Sequence, residues 1–138
     1  MAKSDLKIRT KDYALSVIRL FADLPKRTEA QVMGRQLLRS GTSVGAQYRE
    51  ATRAKSNADF ISKIEGSLQE LEETEYWLEL LAESGFVPEE RLAGVKKETG
   101  ELLGGLFYPL YLCPYPLRDH GLCPTPLTRL YKADIKTI

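Results

Sequence analysis

Apolar residues return along this chain every three or four positions and almost never in alternation, the spacing of amphipathic helices rather than strands. Tyr13, Val17, Leu20, Phe21 and Leu24 predict a first helix over about 10–24, which Pro25 stops. Thr28-Glu29-Ala30-Gln31 reads as a capping box, in which the Thr and Gln side chains satisfy free backbone N–H groups. A second helix runs from there to about Lys55. At about 100° per residue it carries Met33, Leu37, Leu38, Gly41, Val44, Gly45, Tyr48 and Ala51 on one broad face. Gly41 and Gly45 cost roughly 1 kcal/mol each against Ala. Close approach of a neighbouring helix offsets that cost better than a phosphate-cradling loop does, since no strand precedes them.

Ser56, with Asp59 three residues later, opens a third helix that ends near Ser84-Gly85 with Gly as its C-cap. Phe60, Ile64, Leu68, Leu71, Leu78 and Leu81 form its main stripe. Trp77 and Leu80 lie off that stripe, so the pattern predicts a helix covered twice, by its own bundle and by another subunit. Pro88 suits the first turn of a fourth helix, with Glu89 and Glu90 favourable to its dipole. Leu92, Val95, Leu102 and Leu103 continue it. From Gly104-Gly105 onward the period fails. Pro109, Pro114, Pro116, Pro124 and Pro126 accumulate, and CPYPL at 113–117 recurs as CPTPL at 123–127. Proline at that density is incompatible with a helix interior and favours extended, polyproline-like chain. The expectation is an all-α fold of four helices over 1–112, followed by an irregular Pro-rich tail over 113–138.

A length of 138 residues fits one domain, and 43% apolar against 28% charged residues is a soluble, ordered composition. No apolar run approaches the roughly 18 residues of a membrane span, and the polar N-terminal stretch does not read as a signal peptide. These features predict a cytoplasmic protein with reduced thiols and no membrane partner. The net charge of +1 conceals segregation: residues 1–56 sum to +7, residues 57–103 to −8 and residues 104–138 to +2. Such a division either neutralises itself within the fold or across subunits, or serves binding.

Catalytic chemistry finds little support. A carboxylate-bridged di-metal bundle needs Glu-x-x-His pairs on two helices, whereas the single histidine, His120, lies in the tail. Cys113, His120 and Cys123 have no usual zinc spacing and lack a fourth ligand. No cysteine has a positioned His base, and the run Glu70, Glu72, Glu73, Glu75 implies no cleft. The expectation is a protein that is not an enzyme, with no catalytic residue, metal or cofactor.

One constellation remains. At about 100° per residue, Arg35, Arg39, Arg49 and Arg53 fall within about 40° of one line opposite the apolar face of the second helix. Guanidinium groups so placed can each take a phosphate bidentately. The alternative is a salt-bridged face, paired with Glu65, Glu72, Glu79 and Glu83 of the third helix.

The segment GRQLLRSGTSVGAQYREATRAKSNADFISKIEGSLQELEETEYWLELL, residues 34–81, resembles the four-helix-bundle family of the 23S rRNA intervening-sequence proteins. That family is related to the accessory variability determinant of diversity-generating retroelements. The likeness runs from about Thr10 to Leu103 and is carried by Arg39-Ser40-Gly41-Thr42-Ser43-Val44-Gly45-Ala46, by Tyr48-Arg49-Glu50-Ala51 and by Tyr76-Trp77-Leu78-Glu79-Leu80-Leu81. The resemblance implies an up-down bundle assembling as a ring-like homopentamer. Its retroelement branch implies a basic surface that binds RNA or DNA and a reverse transcriptase. Gln47 stands where the family usually has Asn, and the Gly/Pro/Cys tail replaces the usual continuation of the fourth helix. The sequence therefore points to a non-enzymatic oligomeric scaffold that associates with nucleic acid through Arg35, Arg39, Arg49 and Arg53, with Trp77 and Leu80 at the subunit interface. The alternative is a purely structural homo-oligomer that docks a protein partner.

Overall fold

The computed structural model describes residues 3–107, and side-chain surroundings within 6–104. Four helices follow in order: α1 over Lys3–Ala22, α2 over Thr28–Ala51, α3 over Asn57–Glu83 and α4 over Glu89–Glu101, continued by one wider π-helical stretch over Leu102–Phe107. Among the described residues there is no strand. The expected tail over 113–138, with Cys113, His120 and Cys123, lies outside the described residues.

The periodicity located the helices well and their ends less well. α1 begins well before residue 10 and ends at Ala22, although Leu24 still turns into the core beyond it. α2 stops at Ala51 rather than near Lys55, which leaves Arg53 in the turn that follows. The capping box at Thr28–Gln31 does not form. Arg27 is the N-cap, Thr28 already sits in the first turn, and the Gln31 amide donates to the Pro25 carbonyl at 2.9 Å. At α3 the expected cap is present: Ser56 Oγ accepts from the Asp59 N–H at 3.1 Å. Asp59 in turn accepts from the Lys55 N–H at 3.1 Å. Gly85, at φ 77°, ends the α3 turn in the left-handed region that glycine tolerates best. Beyond Leu103 the chain does not leave the helix at once but widens into i→i+5 turns through Phe107.

The connections are short and neighbours run antiparallel. Gly45 packs by Thr10 and Gly41 by Val17, which aligns α1 against α2. A Cβ on Gly41 would lie 2.8 Å from Val17 Cγ2, so the close approach foreseen from the two glycines is present. On the other side of α2, the Gln47 amide covers Gly66 of α3, and Ser67 Oγ donates to the Val44 carbonyl at 3.2 Å. The core between the helices holds Val17, Leu37, Val44, Ile64, Leu71, Leu78 and Leu92, all fully buried.

A polar layer crosses that core. The Tyr13 hydroxyl of α1 shares a 2.7 Å hydrogen bond with Thr99 Oγ1 of α4. Thr74 Oγ1 of α3, which also acts on the Tyr13 phenol, lies 2.8 Å from Ser40 Oγ of α2. Each helix thus contributes one hydroxyl to this layer, and no described buried side-chain oxygen or nitrogen is left without a partner.

Candidate functional site

α2 is gripped on two sides, by α1 along its glycines and by α3 along Ser40 and Val44. The remaining side, turned to solvent, carries the arginines. Arg35 and Arg49 are exposed on the helix, and Arg53 is exposed in the turn beyond it. None of these three makes an ion pair with a described residue.

Arg39 behaves differently. Its guanidinium leans across to α3, where it pairs with Glu70 at 3.3 Å and with Glu73. Those carboxylates raise the Arg39 pKa, and the guanidinium in turn holds the Glu73 carboxyl below its ordinary range. Glu73 also accepts from the Trp77 indole N–H at 3.2 Å. Trp77 is half-buried against the core, with the Tyr76 ring 5.3 Å away. Leu80 is half-buried on the same helix. The structure therefore draws Arg39 and Trp77 into one network and leaves Arg35, Arg49 and Arg53 apart from it.

The acidic stripe does not neutralise the basic one within the chain. Glu65, Glu72, Glu79 and Glu83 are exposed and make no ion pair with a described residue. The ion pairs that do form lie elsewhere. Arg9 of α1 holds Glu98 bidentately, at 2.9 and 2.8 Å, and Glu101 at 2.8 Å, fastening α4 to α1. Lys63 pairs with Glu50 at 2.6 Å, and Arg27 stacks 4.9 Å from the Phe86 ring centroid.

An open groove of about 410 Å³ follows the α1–α4 seam, lined by Asp12, Ser16, Arg91 and Glu98 with Tyr13 beneath. Burial pushes the Tyr13 phenol up to about 12, so it stays protonated at neutral pH and is a poor acid or base there. Among the described residues, no three His, Cys, Asp or Glu side chains come together as a metal site. No described helix is long and apolar enough to cross a membrane.

Two features escaped the sequence reading. The hydroxyl layer was missed because Ser and Thr at core positions look like small packing residues. The outward aliphatics of α1, Ile8, Leu15 and Ile18, were missed because the stronger core stripe of the same helix overlaps their period.

The family model described as 23S rRNA-intervening sequence protein matches residues 3–107. The chain belongs to this family. The match is wider than the likeness between Thr10 and Leu103, taking in the start of α1 and the π-helical end of α4. A crystal structure of a protein of unknown function from the S23 ribosomal protein family of Bacteroides thetaiotaomicron VPI-5482 is similar, with 37% identity and a TM-score of 0.72. The match covers 77% of this chain and 97% of that one. No curated protein matches the chain. Membership of the 23S rRNA-intervening sequence protein family accords with the helical bundle, and the similar crystal structure, of a protein of unknown function, brings no activity with it.

Proposed function

We propose that this protein is a non-enzymatic, self-associating helical scaffold of the cytoplasm that holds nucleic acid, or a ribonucleoprotein, against the outer side of α2. The observation that carries this reading is the state of Arg35 and Arg49 along α2 and of Arg53 in the turn at its end: exposed and without a described carboxylate partner. Three guanidiniums bind phosphate weakly on one copy, and repetition in an oligomer multiplies the contacts. The homopentamer is the assembly that the family resemblance adds to this reading, and a reverse transcriptase is the protein partner that its retroelement branch adds.

Binding to a single strand, a duplex and a structured RNA, measured at two salt concentrations, tests the proposal. Affinity is expected to fall steeply with salt, because phosphate contacts release condensed counterions, and to depend little on sequence. The triple change Arg35→Glu, Arg49→Glu, Arg53→Glu is expected to abolish binding while the helical circular dichroism stays intact. No binding by the wild type at low salt, or unchanged affinity in the triple variant, overturns this reading.

Arg39, held by Glu70 and Glu73, favours the second reading, a structural oligomer that docks a protein partner. Under that reading the triple variant keeps its partner, whereas changes on α3 release it.

A further inference from the structure

We propose that copies of this chain meet head to tail, the outer face of α1 on one copy seated against the outer face of α3 on the next. The inference rests on the reading of the protein as a homo-oligomer and assigns the two surfaces that make the contact.

The α1 face is both apolar and basic. Ile8, Leu15 and Ile18 are 58%, 37% and 44% exposed. At about 100° per residue, Ile8 and Ile18 fall within about 60° of Leu15, and Lys7 and Lys11 within about 80°, all turned away from Tyr13 and the core. Both lysines are exposed and make no ion pair with a described residue.

The α3 face is the complement. Tyr76 is 53% exposed, and Glu65, Glu72, Glu79 and Glu83 lie within about 60° of it on the helix surface. A basic aliphatic surface and an acidic aromatic one are therefore both uncovered by described residues on the same molecule. α1 and α3 occupy diagonal corners of the bundle, each packed on α2 and α4, so their outer faces point apart. That disposition suits a heterologous contact, which closes into a ring or continues as a filament. An isologous α1–α1 contact would instead set Lys7 and Lys11 against their own copies. The head-to-tail contact leaves Arg35, Arg49 and Arg53 outside it.

Charge swaps test the assignment, with mass read by light scattering and folding by circular dichroism. One variant carries Lys7→Glu and Lys11→Glu, and a second carries Glu72→Lys and Glu79→Lys. Each alone sets like charges against each other and is expected to fall to the 15.6 kDa protomer. Combined in one chain, the four changes restore opposite charges at every head-to-tail contact and are expected to bring back the wild-type mass. Leu15→Glu, which removes apolar contact without touching the lysines, is expected to dissociate the wild-type assembly as well. A wild type that itself runs at 15.6 kDa overturns the homo-oligomer reading and this inference together. A wild type that associates, with variants that keep its mass or a combined four-change chain that stays at the protomer mass, overturns the assignment of faces alone.

Discussion

The Tyr13 hydroxyl lies in a largely aliphatic core, with Thr99 as its hydrogen-bond partner at 2.7 Å. Burial disfavours the phenolate and raises the pKa to about 12, while hydrogen bonding to Thr99 and Thr74 pulls the other way. An unfolded tyrosine ionises near pH 10, so between about pH 10 and 12 the unfolded chain loses a proton that the folded one keeps. The stability this group contributes is complete below pH 10 and is lost as pH rises through the folded value. Tyr13→Phe is expected to cost about 1 kcal/mol at neutral pH, the worth of one buried hydrogen bond, and to flatten the alkaline decline. Urea melts at pH 7 and across the alkaline range would show both effects. Tyr48, also raised by burial, keeps part of the decline. At this scale the sequence was informative about apolar residues and nearly silent about polar ones. Val17, Leu37 and Leu71 announce their burial by period alone. Whether a guanidinium such as that of Arg39 reaches a carboxylate depends on side-chain reach across two helices, which spacing on one helix does not encode.

Helix α2 is the element whose composition is most closely fitted to its neighbours. Adding a methyl at Gly41 gains helix propensity worth about 1 kcal/mol. The new Cβ would also stand 2.8 and 2.9 Å from the two γ-methyls of Val17, a stiff, fully buried, β-branched side chain. Overpacking of that kind costs about 1–3 kcal/mol, so Gly41→Ala is expected to lower stability by about 1 kcal/mol. Gly94→Ala on exposed α4 meets nothing within 4 Å and is expected to stabilise by up to about 1 kcal/mol. Thermal melts of the two variants should therefore shift in opposite directions. The glycines of α2 were legible as a packing surface because two of them four residues apart make little sense in an exposed helix. The end of that helix was not legible, since Thr52, Arg53 and Ala54 carry no strong stop signal. The placement of Arg53 shifted with it, from the helix face to the turn.

Across the whole molecule the four helices are not held equally. α2 and α3 join along most of their length, whereas α4 is short and anchors through Leu92, Val95, Thr99 and Leu102 with the Arg9 clasp outside. Half-exposed ion pairs contribute on the order of 1 kcal/mol or less, so α4 is expected to open before the rest. In hydrogen exchange, Arg9→Ala should speed the amides of 89–101 and leave those of 34–48 nearly unchanged. Equal acceleration throughout would mean that the bundle opens as one unit. The fold class was legible because helical period repeats in every segment, and the unequal grip was not, because it depends on which faces meet. The hydroxyl layer has a further consequence for how relatives can exchange parts. Sliding α4 by one turn would carry Thr99 away from Tyr13 and cost the phenol its 2.7 Å partner, so the layer acts as a keyway that favours one alignment. A chimera that takes its last helix from another member of the family should seat properly only when the donor brings a hydroxyl level with Tyr13. An apolar residue there would fill the space and lose the alignment.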